Sequence, residues 1–381
     1  MSQVYVPGLG FRSTRGVAQA SRTVVERDGR ALGVTRFVSS DAGTEIQFEV
    51  RDPDLEKACL GGTFDIQSLH NVTAALRDAS GHEYERTQFP NSIGFGQHEF
   101  GTFSRTIGFA SLAPDQRHVV LALHGPLGEW DVPVDLVPLA STVVLTKHDL
   151  DAEATAGGIT LRVVGAAFGT DQTVIEFAVD APGQIVRGVA AEMQRKGEDL
   201  LVLLDDRGGR YEETMSRDTA IQQPGSEHAR GYAQFPAVSA DATALRLLVP
   251  SVVVEDPEAT LDFDLPVLTR QNLSFGPYPV QLHAIEIVDN LLAPPGQQPG
   301  HGLRGAIAPS VANADRRFVR AGKIVLDGTT HWLGRGWHPE PDTVTFDVRL
   351  ARGVEPKHAR LTNAIVRIRG PWEIPFARPN S

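Results

Sequence analysis

Thr44–Val50 reads TEIQFEV, and Thr173–Val179 reads TVIEFAV. In both stretches Ile, Phe and Val alternate with mostly polar residues: Ile46, Phe48 and Val50 in the first, Ile175, Phe177 and Val179 in the second. Successive side chains of a β-strand point to opposite faces, so each stretch predicts one buried face and one wet face. The likeness continues outward. RDASGHEYE (77–85) is matched by DDRGGRYEE (205–213), DQRHVVLAL (115–123) by DATALRLLV (241–249), and VPVDL (132–136) by LDFDL (261–265). The matched landmarks keep one order and stand 126–129 residues apart. A repeat of this length means duplicated domains, not a short-period solenoid.

A third, more divergent unit follows. VQLHAIEIV (280–288) opens it, and Val344, Phe346, Val348 and Leu350 repeat the alternation. AIVRIRGPWEIPF (364–376) echoes LALHGPLGEWDVPV (121–134), each reading strand, Gly-Pro, Trp, strand. Residues 1–20 form a lead-in in which Pro7, Gly8 and Gly10 break regular structure. The three units are then 21–140, 141–268 and 269–381. Many short alternating strands and frequent turns predict an all-β chain of three tandem immunoglobulin-like antiparallel β-sandwich domains. The Cys…Trp…Cys core of antibody domains is absent.

Local signals refine this reading. Asp28-Gly29 is a hairpin turn between two β-rich runs. Asp52-Pro53 suits the start of one helical turn over 51–61. Residues 89–103, FPNSIGFGQHEFGTF, read as a glycine-rich loop, 216–230 as a polar loop, and 291–302 as a Pro/Gly/Gln loop. Residues 158–169 and 173–179 form a strand pair. Ile185, Val189 and Met193 recur every four residues and predict a short helix within 181–197.

Of 381 residues, 36 are Lys or Arg and 47 are Asp or Glu, a net charge of −11. Such a chain is poorly suited to nucleic acid or to an anionic membrane surface. Cys59 is the single cysteine, so no intramolecular disulfide and no cysteine-based zinc site can form. No run of ~18 apolar residues is present to span a bilayer.

Thr330–Asp342, THWLGRGWHPEPD, is the richest stretch for chemistry. His331, Trp332, Trp337 and His338 are the candidate ligand-binding residues, because indoles stack on sugars and imidazoles bind metals or polar groups. Pro339 and Pro341 exclude a helical His pair. The plain reading is a strand-connecting loop whose Trp residues cover the end of a sandwich. The glycines of 89–103 lack the Lys and Ser/Thr of a phosphate loop. Asp205 and Asp206, with Asp149, Asp151 and Glu153, could suggest calcium, but Arg207 interrupts the set, and a plain turn explains it. No catalytic residue, metal or cofactor is assigned.

YVPGLGF (5–11), VVERDGRALGVTRFVSSDAGTEIQFEV (24–50) and IVRIRGPWEIPF (365–376) together give the chain its family likeness. It resembles the extracytoplasmic region of bacterial membrane-anchored anti-sigma-factor-type proteins, a domain-of-unknown-function family. Gly158-Ile159-Thr160-Leu161, Thr173–Val179 and Asp205–Gly208 match that family's repeat pattern. The resemblance implies a non-enzymatic interaction or sensing module at the cell surface, reached through a membrane segment upstream of this chain. It also implies that Met1 is not the natural start, with ~20 apolar residues just before it. The partner is then an unknown protein or a cell-wall glycan. A glycan-binding protein using aromatic loops and a hydrolase with an inter-domain site are the alternatives. Because no ligand set stands out, EDTA is expected to leave the melting temperature unchanged. A fall of several degrees, reversed by Ca²⁺ or Zn²⁺, would overturn that.

Overall fold

The computed structural model describes residues 3–6, 10–52, 72–95, 102–125, 128–141, 145–190, 200–214, 226–291, 300–310, 315–333 and 343–379. Among them there is no α-helix, only strands and a single 3-10 turn at Leu139–Ser141. The chain clusters into two compact units that meet in sequence at Lys147 and His148.

The first unit holds β1 (Gln3–Val6), β2 (Gly10–Ser13), β3 (Val17–Gln19), β4 (Thr23–Arg27), β5 (Arg30–Ser40), β6 (Gly43–Arg51), β7 (Thr73–Asp78), β8 (Glu83–Tyr84), β9 (Arg86–Phe95), β10 (Thr102–Phe109), β11 (His118–Gly125) and β12 (Gly128–Pro138). Ten of these form one sheet in the order β8-β7-β11-β12-β3-β5-β6-β10-β9, with β4 on β5. The sheet closes over a core in which Leu76, Leu121 and Val132 meet Phe37, Phe48 and Ile107.

The second unit holds β13 (His148–Ala156), β14 (Ile159–Phe168), β15 (Gln172–Asp180), β16 (Ile185–Val189), β17 (Val202–Asp205), β18 (Arg210–Glu212), β19 (His228–Pro236), β20 (Ala244–Asp264), β21 (Gln271–Phe275), β22 (Tyr278–Leu282), β23 (Glu286–Leu291), β24 (Gly300–Pro309), β25 (Arg316–Leu326), β26 (Thr329–Trp332), β27 (Val344–Arg349) and β28 (His358–Ala377). A seven-stranded sheet runs β18-β17-β20-β28-β25-β26, with β16 on β20. A four-stranded sheet, β13-β14-β15-β19, packs on it through the Trp372 indole, which donates to the Ile159 carbonyl at 3.0 Å. A five-stranded sheet, β21-β22-β24-β23 with β27 on β24, packs on it through Phe275 and Phe318, whose rings lie 5.5 Å apart. All three sheets feed one continuous core. The boundary expected at 268/269 falls inside this unit, where β20 and β28 pair from one end to the other with two register shifts, after Val249 and after Asp256.

The two matched stretches, Thr44–Val50 and Thr173–Val179, sit in ladders of like register. β5 pairs with β6 as Phe37↔Ile46 and Val34↔Phe48, with a bulge after Val34. β14 pairs with β15 as Ala166↔Ile175 and Val163↔Phe177, with a bulge after Val163. The turn after β7 is rebuilt after β17. Asp78 Oδ1 accepts the amides of Ser80 and His82, and Asp205 Oδ1 those of Arg207 and Gly209. Gly81 and Gly208 take φ of 85° and 87°, a left-handed backbone that glycine adopts at least cost. Ile46, Phe48, Ile175, Phe177, Phe346 and Val348 are all buried, as the alternation requires.

Several local expectations give way. Residues 185–189 are strand β16, not helix. Ile185, Val186 and Val189 are β-branched and fit a pleated surface, and it is Val186, off the four-residue spacing, that is fully buried. Residues 89–95 continue strand β9 along β10, so the loop expected from 89 does not begin there. β19 occupies 228–236, where a polar loop was expected up to 230. Within the overlap with that expected loop, 228–230, the buried residue is the small Ala229, between exposed His228 and Arg230, and the large buried residues Tyr232 and Phe235 come only after it. The lead-in is also ordered into strands. β1 and β2 pair, Gly10 turning at φ 76°, and Tyr5 is 1% exposed, edge-on to the Phe11 ring. The apolar character of Tyr5 and Phe11 is thus accounted for by packing in the first unit. Arg51, where a helical turn was expected to begin, is the last residue of β6, and residues 53–61 with Cys59 fall outside the described residues, as does most of the 291–302 loop. No helix among the described residues is long and apolar enough to cross a membrane.

Phe177 lies between Val163 on β14 and Gly231 on β19. Phe177→Ala should therefore cost roughly 3–5 kcal/mol of the second unit's stability in denaturant unfolding. A change within error of zero would mean the side chain does not face the core.

Candidate functional site

His331 and Trp332 stand on β26, at the edge of the seven-stranded sheet, and not in a loop. The reversal that puts them there is Asp327-Gly328, both with positive φ, a two-residue turn that matches strand twist. His331 lies opposite Ile324, and Trp332 opposite Lys323. This is the place that Tyr84 holds opposite Leu76 in the first repeat and Tyr211 opposite Leu203 in the second. His331 is half-buried there. Trp337 and His338 lie outside the described residues, so the structure brings together only the first two of the four candidates.

The acidic turns are occupied by their own chain. Asp205 Oδ2 accepts the Tyr211 hydroxyl at 2.8 Å, and that bond holds its carboxyl below the usual range. Asp206 is held low by the Thr243 hydroxyl, and Asp78 by that of Ser80. Asp149, Asp151 and Glu153 alternate on the exposed side of β13, and Arg162 reaches Asp151 and Glu153 at 3.8 and 3.2 Å. Among the described residues no group of three or more His, Cys, Asp or Glu side chains could hold a metal ion.

Three features escaped the sequence. The first is a cleft of about 280 Å³ lined by Arg27, Asp28, Arg30, Gly128, Glu129 and Trp130. It joins the β4–β5 turn to the start of β12. Arg30 is fixed by buried Asp52 at 2.9 Å, while Arg27 and Glu129 project into solvent. Two guanidiniums, two carboxylates and an indole can together take a polar ligand with an apolar face. The Asp28-Gly29 turn was legible, but residues a hundred positions apart meet only through the sheet.

The second is Glu213, directly after β18. It is buried, and burial pushes its carboxyl from 4.5 up to about 7, although the Leu201 amide donates to it and pulls the other way. The third is an ion cluster on β16, β20 and β28. Glu255 is 4% exposed. Arg187 approaches its Oε2 with two nitrogens, the Nε at 2.7 Å, and the Asn363 side-chain amide donates to its Oε1. Asn363 takes φ 61° within an otherwise extended strand.

No family model matches the chain. No curated protein matches it either. The crystal structure of a conserved domain protein from Bacillus anthracis is similar over 77% of this chain and 92% of that chain, at 9% identity and a TM-score of 0.33. At that distance nothing about function carries across.

Glu213 generates a pH dependence whose sign is fixed. Its folded-state affinity for a proton exceeds that of the unfolded chain. Its contribution is therefore fully present below about 4.5, falls as pH rises to about 7, and is level above. Relative to Glu213→Gln, the wild-type second unit should lose stability across that window in denaturant titrations. A difference that stays flat from pH 4.5 to 7 would show that Glu213 titrates as an exposed carboxylate.

Proposed function

We propose that this chain is a non-enzymatic interaction or sensing module that works outside the cytoplasm. Its scaffold is read as three tandem immunoglobulin-like β-sandwiches, the second and third sharing the second unit. The observation that carries the reading is the reuse of one framework. The four-stranded order β4-β5-β6-β10 returns as β13-β14-β15-β19 and again as β21-β22-β24-β27. Asp205 and Asp206, which drew notice in the sequence, are bonded within and beside the β17–β18 turn. Such repetition presents surfaces and loops on a β-scaffold within each unit, the usual basis of recognition by sandwich domains. The extracytoplasmic location and the upstream membrane tether rest on the family resemblance.

The cleft at Trp130 favours a glycan over a protein as the ligand. An indole edge beside paired Arg and carboxylate groups suits a sugar that carries a carboxylate or an amide, as cell-wall fragments do. The test is tryptophan fluorescence with soluble peptidoglycan fragments. Arg27→Ala and Glu129→Ala change exposed side chains, so the fold should hold while affinity drops tenfold or more. Binding lost in Trp332→Ala and kept in those two would move the site to β26. Failure of the wild type to bind would remove the glycan reading.

A further inference from the structure

In the first unit β11 and β12 form a closed hairpin. His118 faces Asp135, Val119 faces Val134, Leu121 faces Val132 and Leu123 faces Trp130, and Gly125 and Gly128 flank the reversal. β11 also lies on β7, Val119 opposite Asp78. The second unit contains both halves of that pattern twice, but never within one hairpin.

The first half of β20 takes the place of β11. Leu245 lies opposite Asp205 on β17, as Val119 lies opposite Asp78. Its other neighbour is the last part of β28, with Leu245↔Phe376, Leu247↔Ile374 and Val249↔Trp372. Gly370, Trp372 and Pro375 stand where Gly128, Trp130 and Pro133 stand in β12. Conversely, the first part of β28 has the register of β11, and its partner is the last part of β20. His358↔Asp264 and Leu361↔Leu261 reproduce His118↔Asp135 and Leu121↔Val132. Both His–Asp pairs put Nδ1 2.6 Å from Oδ1. The sequence likeness of VPVDL (132–136) and LDFDL (261–265) fixes the second as the closing strand of its own repeat.

We infer that the second and third repeats have exchanged their closing strands, each opening a hairpin like β11–β12 into one long strand. The second repeat's closing strand, Thr260–Asp264, completes the third sandwich, and the third repeat's, Trp372–Ala377, completes the second. This is domain swapping carried out within one chain. The stretch that is a tight turn in the first repeat becomes extended ladder here, Ser251–Asp256 against Ala364–Arg369. The crossing is where Arg187 from β16 and Asn363 from β28 converge on buried Glu255 of β20, so this cluster pins three strands at the crossover. Neither sandwich is then complete without the other, and the second unit must unfold as a single body.

The test uses the full-length chain. Val348→Ala removes buried volume from β27 in the third repeat. Native-state hydrogen exchange should show protection falling by the same factor, about tenfold or more, in β24 and in β14 and β15 of the second repeat, with β5 and β6 unchanged. Loss confined to β21–β27 would overturn the inference. Register is checked by oxidation of cysteine pairs in a Cys59→Ser background. L248C with E373C should cross-link, since these residues face each other across the exchanged strands. L248C with T260C should not, because an extended strand keeps them about 40 Å apart. Cross-linking of the second pair in place of the first would show closed hairpins and overturn the exchange.

Discussion

A backbone amide that lies between two layers of protein has no water to bond to, and must find its partner in the ladder. Val252, Val253 and Val254 are in that position. All three are fully buried, so side chains on both faces of β20 are covered. Near-continuous apolar runs of this kind belong to strands with protein on both sides. Their amides and carbonyls are served by β28 on one edge and β16 on the other. Everything else in the second unit is arranged around that requirement. The four-stranded sheet covers one stretch of the β20–β28 ladder and the five-stranded sheet another, and one core runs through both.

The sequence disclosed the parts of this that depend on local period. A period of two is a property of a single strand, so Ile46, Phe48, Ile175 and Phe177 could be assigned to cores without knowing their neighbours. The Asp-x-x-Gly-x-x-Tyr turn was legible because its bonds close within seven residues. Pairing was not legible, because a strand that turns back and a strand that runs on have the same alternation. The likeness of residues 364–376 to 121–134 was real, yet the first is part of one strand and the second is a hairpin. Short apolar runs misled in the other direction. Ile185 and Val189 fit a helical spacing by accident, and the start of β19 was lost because exposed His228 and Arg230 flank the small Ala229 there, with Tyr232 and Phe235 coming later.

Candidate sites fared in the same way. The composition of Thr330–Asp342 pointed to His331 and Trp332, and the fold explains His331 first as the residue that fills a repeated position opposite Ile324. The cleft beside Trp130 had no local signature, because Arg27 and Glu129 are brought together by separate hairpins. Glu213 looked like any acid following a turn. Its depth, set by strands distant in sequence, is what raises its proton affinity.

The acids on β13 have a further consequence. β13 ends its sheet, and a terminal strand offers unpaired amides and carbonyls to any extended chain that drifts against it. Asp149, Asp151 and Glu153 project from that rim at alternate, exposed positions. A second β13 laid alongside would set carboxylate against carboxylate, and a fibril built that way would accumulate like charge with every molecule added. The rim is thereby guarded against self-templating, a safeguard of particular value to a chain so rich in strands.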